Sequence, residues 1–83
     1  MEENKRIALI GIIVEEEASV EKMNGLLHEY RQHIIGRMGI PQPDKGLSII
    51  SIAIEADGDV ISALSGKLGV LPGVSTKTIY AKK

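Results

Sequence analysis

Two stretches of the chain are apolar on both sides of a two-residue period, and the rest of the pattern falls into place around them. In Leu47–Ala56, LSIISIAIEA, the positions Leu47, Ile49, Ser51, Ala53 and Glu55 share one face of a strand, and Ser48, Ile50, Ile52, Ile54 and Ala56 share the other. In Arg6–Val14, RIALIGIIV, Ile7, Leu9, Gly11 and Ile13 oppose Ala8, Ile10, Ile12 and Val14. One face of each is largely branched aliphatic, and the other is not built for water either. Such strands belong in the middle of a sheet, with helices on one face and the other face at least partly covered. A second copy of the chain is one such cover. It would rest on Leu9, Gly11, Ile13, Leu47, Ile49 and Ser51, where Gly11 leaves room for close approach.

The intervening segments read in order. Residues 1–5, MEENK, are polar and expected to fray. Glu15–Ala18 is a turn, and Ser19 is the expected N-cap of a helix running to about Gln32. Val20, Met23, Leu27, Tyr30 and Ile34 form its apolar stripe. Gly25 inside it costs about 1 kcal/mol relative to Ala, which predicts close helix packing at that point. Ile34–Ile40, IIGRMGI, is a short edge strand whose alternation sets Ile34, Gly36, Met38 and Ile40 against Ile35, Arg37 and Gly39. Pro41–Gly46, PQPDKG, supplies turn chemistry, so this strand and Leu47–Ala56 form an antiparallel hairpin.

Asp57 or Asp59 then caps a second helix through about Leu68, with Val60, Ile61, Leu64 and Leu68 as its buried stripe. Gly69 is expected in the left-handed position after the helix, and Leu71, Pro72 and Gly73 turn the chain. Val74–Ala81 is a last strand, rich in Thr and β-branched residues, guarded as an edge by Lys77, Lys82 and Lys83. The order βαββαβ with right-handed crossovers predicts an α+β, ferredoxin-like sandwich: a four-stranded antiparallel sheet of order 4-1-3-2 with both helices on one face. That topology requires strands one and three to be central, and they are the two that are apolar on both faces.

Composition narrows the function. A chain of 83 residues holds one domain. It has no Cys, hence no thiolate nucleophile, iron–sulfur ligand set or redox switch, and this suits a reducing compartment. Its apolar runs are far shorter than the roughly 20 residues of a membrane-spanning helix, and its acidic start (Met1, Glu2, Glu3) is unlike a signal peptide. The expected location is the cytoplasm, away from membranes. A net charge of -1 and two aromatic residues, Tyr30 and Tyr80, argue against direct nucleic-acid binding.

The segments RIALIGIIVE, LLHEYRQHIIGRMGIP, LSIISIAIEAD and SALSGKLGVLPGVSTKTIY together resemble the small ACT-like family named as iron-only hydrogenase system regulators, over roughly residues 6–81. IIGRMGIP and SGKLGVLPGV are the most specific pieces. The resemblance implies an ACT-like regulatory or ligand-sensing module that oligomerises. Amino-acid-binding ACT domains usually carry a Gly-bearing turn after strand one; here the turn is Glu15, Glu16, Glu17, Ala18. The chain is also similar to the regulatory domain of nickel-responsive repressors, but it has neither Cys nor a His on its central strands to supply their ligands.

Candidate chemistry is sparse. Glu15, Glu16 and Glu17 could hold a hard cation or a cationic ligand, or simply sit solvated at the positive end of a helix dipole. Arg37, between glycines on a strand, could pair with an anionic ligand, or serve as an edge charge that discourages aggregation. His28 and His33 lie on different sides of an ideal helix and do not chelate one metal. There is no P-loop, dinucleotide fingerprint or nucleophile motif, so neither cofactor nor catalysis is expected. Two readings follow: a non-enzymatic regulatory or ligand-sensing homo-oligomer, dimer or tetramer, with an effector the sequence does not identify; or an interaction module that binds a protein partner and senses no small molecule.

Overall fold

The computed structural model describes residues 5–82, apart from the side chains of Pro41 and Pro43. The expected fraying of MEENK falls outside them for residues 1–4, as does Lys83, while Lys5 already belongs to the first strand. The elements are β1 (Lys5–Val14), α1 (Val20–Glu29), β2 (Ile34–Gln42), β3 (Leu47–Asp57), α2 (Gly58–Gly69) and β4 (Val74–Tyr80). The sheet has the order β2-β3-β1-β4, the expected 4-1-3-2 read from the other edge, and every neighbouring pair is antiparallel.

The alternation of the central strands sets the core. Ala8, Ile10, Ile12 and Val14 of β1 and Ile50, Ile52, Ile54 and Ala56 of β3 are buried against Met23 and Leu27 of α1 and Ile61, Leu64 and Leu68 of α2. Each large aliphatic side chain removed from water in this way stabilises the fold by roughly 1.5–3 kcal/mol before entropy is counted. Tyr30, Ile34, Val60 and Leu71 pack around the rim of this cluster. No helix among the described residues is long and apolar enough to cross a membrane.

Several local expectations are corrected. The first helix ends at Glu29, and Arg31–His33 form a separate single 3-10 turn. Gly25 is exposed and nothing among the described residues lies within 4 Å of where its Cβ would stand, so helix packing does not account for it. Ser19 precedes α1 but has helical backbone angles and makes no side-chain cap, because a 3-10 turn, Glu17–Ser19, already occupies the place of a cap. Asp57 stands at the N-cap position of α2 without a side-chain bond to the helix. Gly69 lies within α2; the left-handed glycines are Gly46 (φ 68°) and Gly73 (φ 70°). β2 extends through Gln42, with a 3-10 turn at Pro43–Lys45, and β4 ends at Tyr80, although the Ala81 N–H still donates to the Ile7 carbonyl at 2.8 Å.

β2 also breaks its own alternation. Its pairing with β3 jumps from Ile34 opposite Ile54 to Gly36 opposite Ala53, leaving Ile35 as an extra residue in a bulge. Past the bulge Arg37 and Gly39 face Ile52 and Ile50, the helix-covered positions of β3. Ile34 and Arg37 therefore lie on the same side of the sheet, where a regular strand would separate them.

Two turns at one end of the sheet are tied together. The Glu15 N–H donates to the Gly73 carbonyl at 2.7 Å. The Ser19 hydroxyl, on a buried residue, donates to the Pro72 carbonyl at 2.6 Å. The β1–α1 turn is thus locked onto the α2–β4 turn. Ser19→Ala should lower unfolding free energy by about 1 kcal/mol, the usual net value of one such bond; urea denaturation measures it, and an unchanged midpoint would mean the bond adds nothing net.

Candidate functional site

The residues expected at an interface share the sheet face that the helices leave open. Across the sheet, Ile40, Ile49 and Ile13 form one row. Met38, Ser51, Gly11 and Lys77 form the next, and Gly36, Ala53, Leu9 and Ile79 the one after. Ile7 follows on β1 opposite Glu55, and Leu47 lies at the far end of β3 opposite Gln42. Ile7, Leu9, Ile13, Met38, Ile40, Ile49 and Ile79 are each between 42% and 67% exposed. Together these side chains present on the order of 700 Å² of apolar surface, above the few hundred Å² of the largest patch on a typical monomer. Leu47, Ser51 and Ala53 are half-buried within it. Among the described residues a Cβ on Gly11 would meet only the Lys77 carbonyl, at 3.9 Å, so none of them crowds that point.

Sequence reasoning found the central strands of this face and missed its flanks. Met38 and Ile40 were passed over because β2 was read as a short edge strand, and Ile79 because β4 is rich in Thr. Once the register is known, alternation places Ile40, Met38 and Ile79 opposite Ile49, Ser51 and Leu9 on the open face.

The four candidate ligand residues are not gathered in one place. Glu15 and Glu16 lie against the α2–β4 turn, Glu15 through its N–H and Glu16 beside Gly73. Glu17 borders a hollow of about 670 Å³ between the start of α1 and the turn into β3. Val14, Val20 and Leu47 contribute its apolar lining, and Glu21 and Asn24 join Glu17 among its polar residues. Arg37 lies beyond Asn24, whose side-chain oxygen accepts a bond from Arg37 Nη2 at 2.7 Å. It borders a second hollow of about 340 Å³, lined also by Asn24, Leu27, His28, Arg31 and Ile34. Asn24 and Arg31 were missed at the sequence level and His28 was weighed only as a metal ligand, although spacings of four and three residues are a one-face signal.

Arg6 lies over the Tyr80 ring at 4.0 Å, and Lys67 Nζ is 5.2 Å from the centre of the Tyr30 ring. The Tyr30 hydroxyl raises the Lys67 pKa above the ordinary lysine value. His33 is 6.4 Å from the Tyr30 ring, centre to centre, in a tilted arrangement. Among the described residues no group of three or more His, Cys, Asp or Glu side chains is placed to hold a metal ion.

Comparison with known proteins supplies the context. The protein TM1266 of Thermotoga maritima is 38% identical and superposes with a TM-score of 0.90, over 94% of this chain and 99% of that one. The C-terminal domain of the MgtC protein of Mycobacterium tuberculosis has a TM-score of 0.72 at 14% identity, covering 96% of this chain and 92% of that one. The ACT domain from the GTP pyrophosphokinase of Chlorobium tepidum has a TM-score of 0.70 at 17% identity, covering 96% and 90%. The last two likenesses concern the fold alone. No curated protein sequence matches the chain. Residues 6–78 match the TM1266-like family, described as "Iron-only hydrogenase system regulator, putative". On that match, and on its likeness to the Thermotoga protein, the chain belongs to the TM1266-like family.

Proposed function

We propose that the chain is a non-enzymatic regulatory module that works in the cytoplasm as a homo-oligomer and responds to a small molecule. The family description supports the regulatory part, in connection with an iron-only hydrogenase system. The observation that carries the oligomeric part is the open sheet face, with Leu9, Ile13 and Ile49 at its centre and more than two-fifths of each side chain in water. With Gln42, Glu55 and Lys77 at its margin, the face approaches the roughly 800 Å² that each partner contributes to a stable interface. A symmetric pair of copies, face on face, covers it with the same residues from each. Such an assembly suits a regulator, because a ligand that favours one arrangement of the copies shifts the population toward it.

Two measurements test this. Light scattering at micromolar concentration should give a mass of at least twice the 9.0 kDa of one chain; a single-chain mass would overturn the oligomeric reading and favour an unlike protein partner. Thermal shift against a panel of amino acids, nucleotides and organic acids should find a compound that raises the melting temperature with dose, as expected for a ligand of the folded state. A flat response across the panel would remove the sensing part.

A further inference from the structure

The hollow beside Arg37 exists because of the bulge in β2. In an unbroken strand, residues three apart point to opposite faces, so Ile34 and Arg37 would be separated by the sheet. The extra residue, Ile35, brings both to the side that carries α1. An edge arginine that only discourages aggregation extends into solvent. Arg37 instead turns toward α1, where its Nη2 donates to Asn24 Oδ1 at 2.7 Å. From the other direction Arg31 Nη1 donates to the His28 carbonyl at 2.9 Å. Leu27, buried, and Ile34, half-buried, line the hollow alongside these groups.

The lining therefore combines two guanidiniums and an imidazole with an apolar surface, and no carboxylate is among the described residues that form it. The bonds that orient the guanidiniums go to neutral oxygens, which leaves most of the five N–H donors of each available. Guanidinium forks match the geometry of carboxylate and phosphate oxygens. The C-terminal end of α1 opposes an anion here with about half a negative charge. Arg31 already bonds one of its terminal carbonyls, and two full positive charges outweigh what is left.

We propose that this hollow binds a small organic anion, its carboxylate or phosphate held by Arg31 and Arg37 and its apolar portion resting on Leu27 and Ile34. The inference names a ligand class for the sensing module proposed above and rests on that reading for its biological meaning. The binding itself does not depend on self-association, since the open face lies on the other side of the sheet.

The test is an amide NMR titration of the full chain, in a buffer free of phosphate and carboxylate, with inorganic phosphate, phenyl phosphate and benzoate. Saturable shifts should centre on Leu27, His28, Arg31 and residues 34–37. Either aromatic anion should bind more tightly than inorganic phosphate, and which of the two is tighter identifies the headgroup. Arg37→Gln and Arg31→Gln should each weaken that binding by about tenfold or more, as loss of a charge-assisted contact does. Lys77→Gln, on the open face, should leave it unchanged. Both arginines are exposed, and a retained amide spectrum confirms that the variants are folded. No saturation with any probe up to about 10 mM, a level at which even weak binding of a few kcal/mol registers, overturns the proposal; so does equal binding by wild type and both arginine variants. Mass measured on the same samples separates the two ideas: a monomer that binds the anion sinks the oligomer alone, and an oligomer that ignores all three anions sinks this site alone.

Discussion

Replacing Gly73 with Ala should lower the unfolding free energy by about 3 kcal/mol, the sum of a left-handed backbone at about 1–2 kcal/mol and a steric clash of similar size. Gly73 has φ 70°, and a Cβ there would stand 2.6 Å from Glu16 Cγ, 2.8 Å from Glu16 Cβ and 3.0 Å from the Glu16 backbone nitrogen. The Glu16 side chain can swing its far end away, but its Cβ and backbone nitrogen cannot move without shifting the turn. That turn is fixed by the bonds from Glu15 to Gly73 and from Ser19 to Pro72. Gly46 provides the comparison: it has φ 68°, and nothing among the described residues lies within 4 Å of its would-be Cβ. Gly46→Ala should therefore show the backbone strain alone, about 1–2 kcal/mol. Urea denaturation of both variants measures the difference. Equal losses would mean the close approach to Glu16 is relieved at no cost.

The second large effect concerns association. Leu9→Asp should weaken self-association by at least about 100-fold, because a carboxylate at the middle of an apolar interface must give up its hydration without a partner. The monomer should tolerate it, since Leu9 is 45% exposed and touches solvent already. Ser62→Asp, on an exposed position of α2, is the matched control that adds the same charge to the helix side. Sedimentation velocity over a concentration series should show the Leu9 variant dissociating while the Ser62 variant keeps the parent's mass. If both keep it, the copies meet somewhere other than the open face.

The fold was legible because the strongest constraint on it, alternation, leaves little room for error. Ile10, Ile12, Ile52 and Ile54 could not be exposed, and two strands apolar on both faces had to be central. Helix ends were less legible because their chemistry is not local. Ser19 has the right identity for a cap, but its hydroxyl bonds a carbonyl that is 53 residues away in the sequence. Gly69 and Gly73 both suit a left-handed turn by identity, but α2 runs through Gly69, and it is Gly73 that takes the positive φ, with Glu16 packed where a Cβ would stand. The bulge at Ile35 was invisible to a reading in twos, which assigned Arg37 to the wrong side of the sheet relative to Ile34. With that slip the company of Arg37 was lost as well: Asn24, His28 and Arg31 lay on one readable helical stripe, with no strand residue seen to face them.

The contacts between Glu15 and Gly73 and between Ser19 and Pro72 also bear on how the molecule is made. β1 lies between β3 and β4, so a nascent polypeptide cannot complete its central layer until the segment encoding β4 has cleared the ribosome. Until then the aliphatic side chains of β1 have one neighbour in place of two, and the first helix lacks its anchor. Pairings this remote in sequence slow closure of the fold and prolong the interval in which unfinished chains can stick to one another.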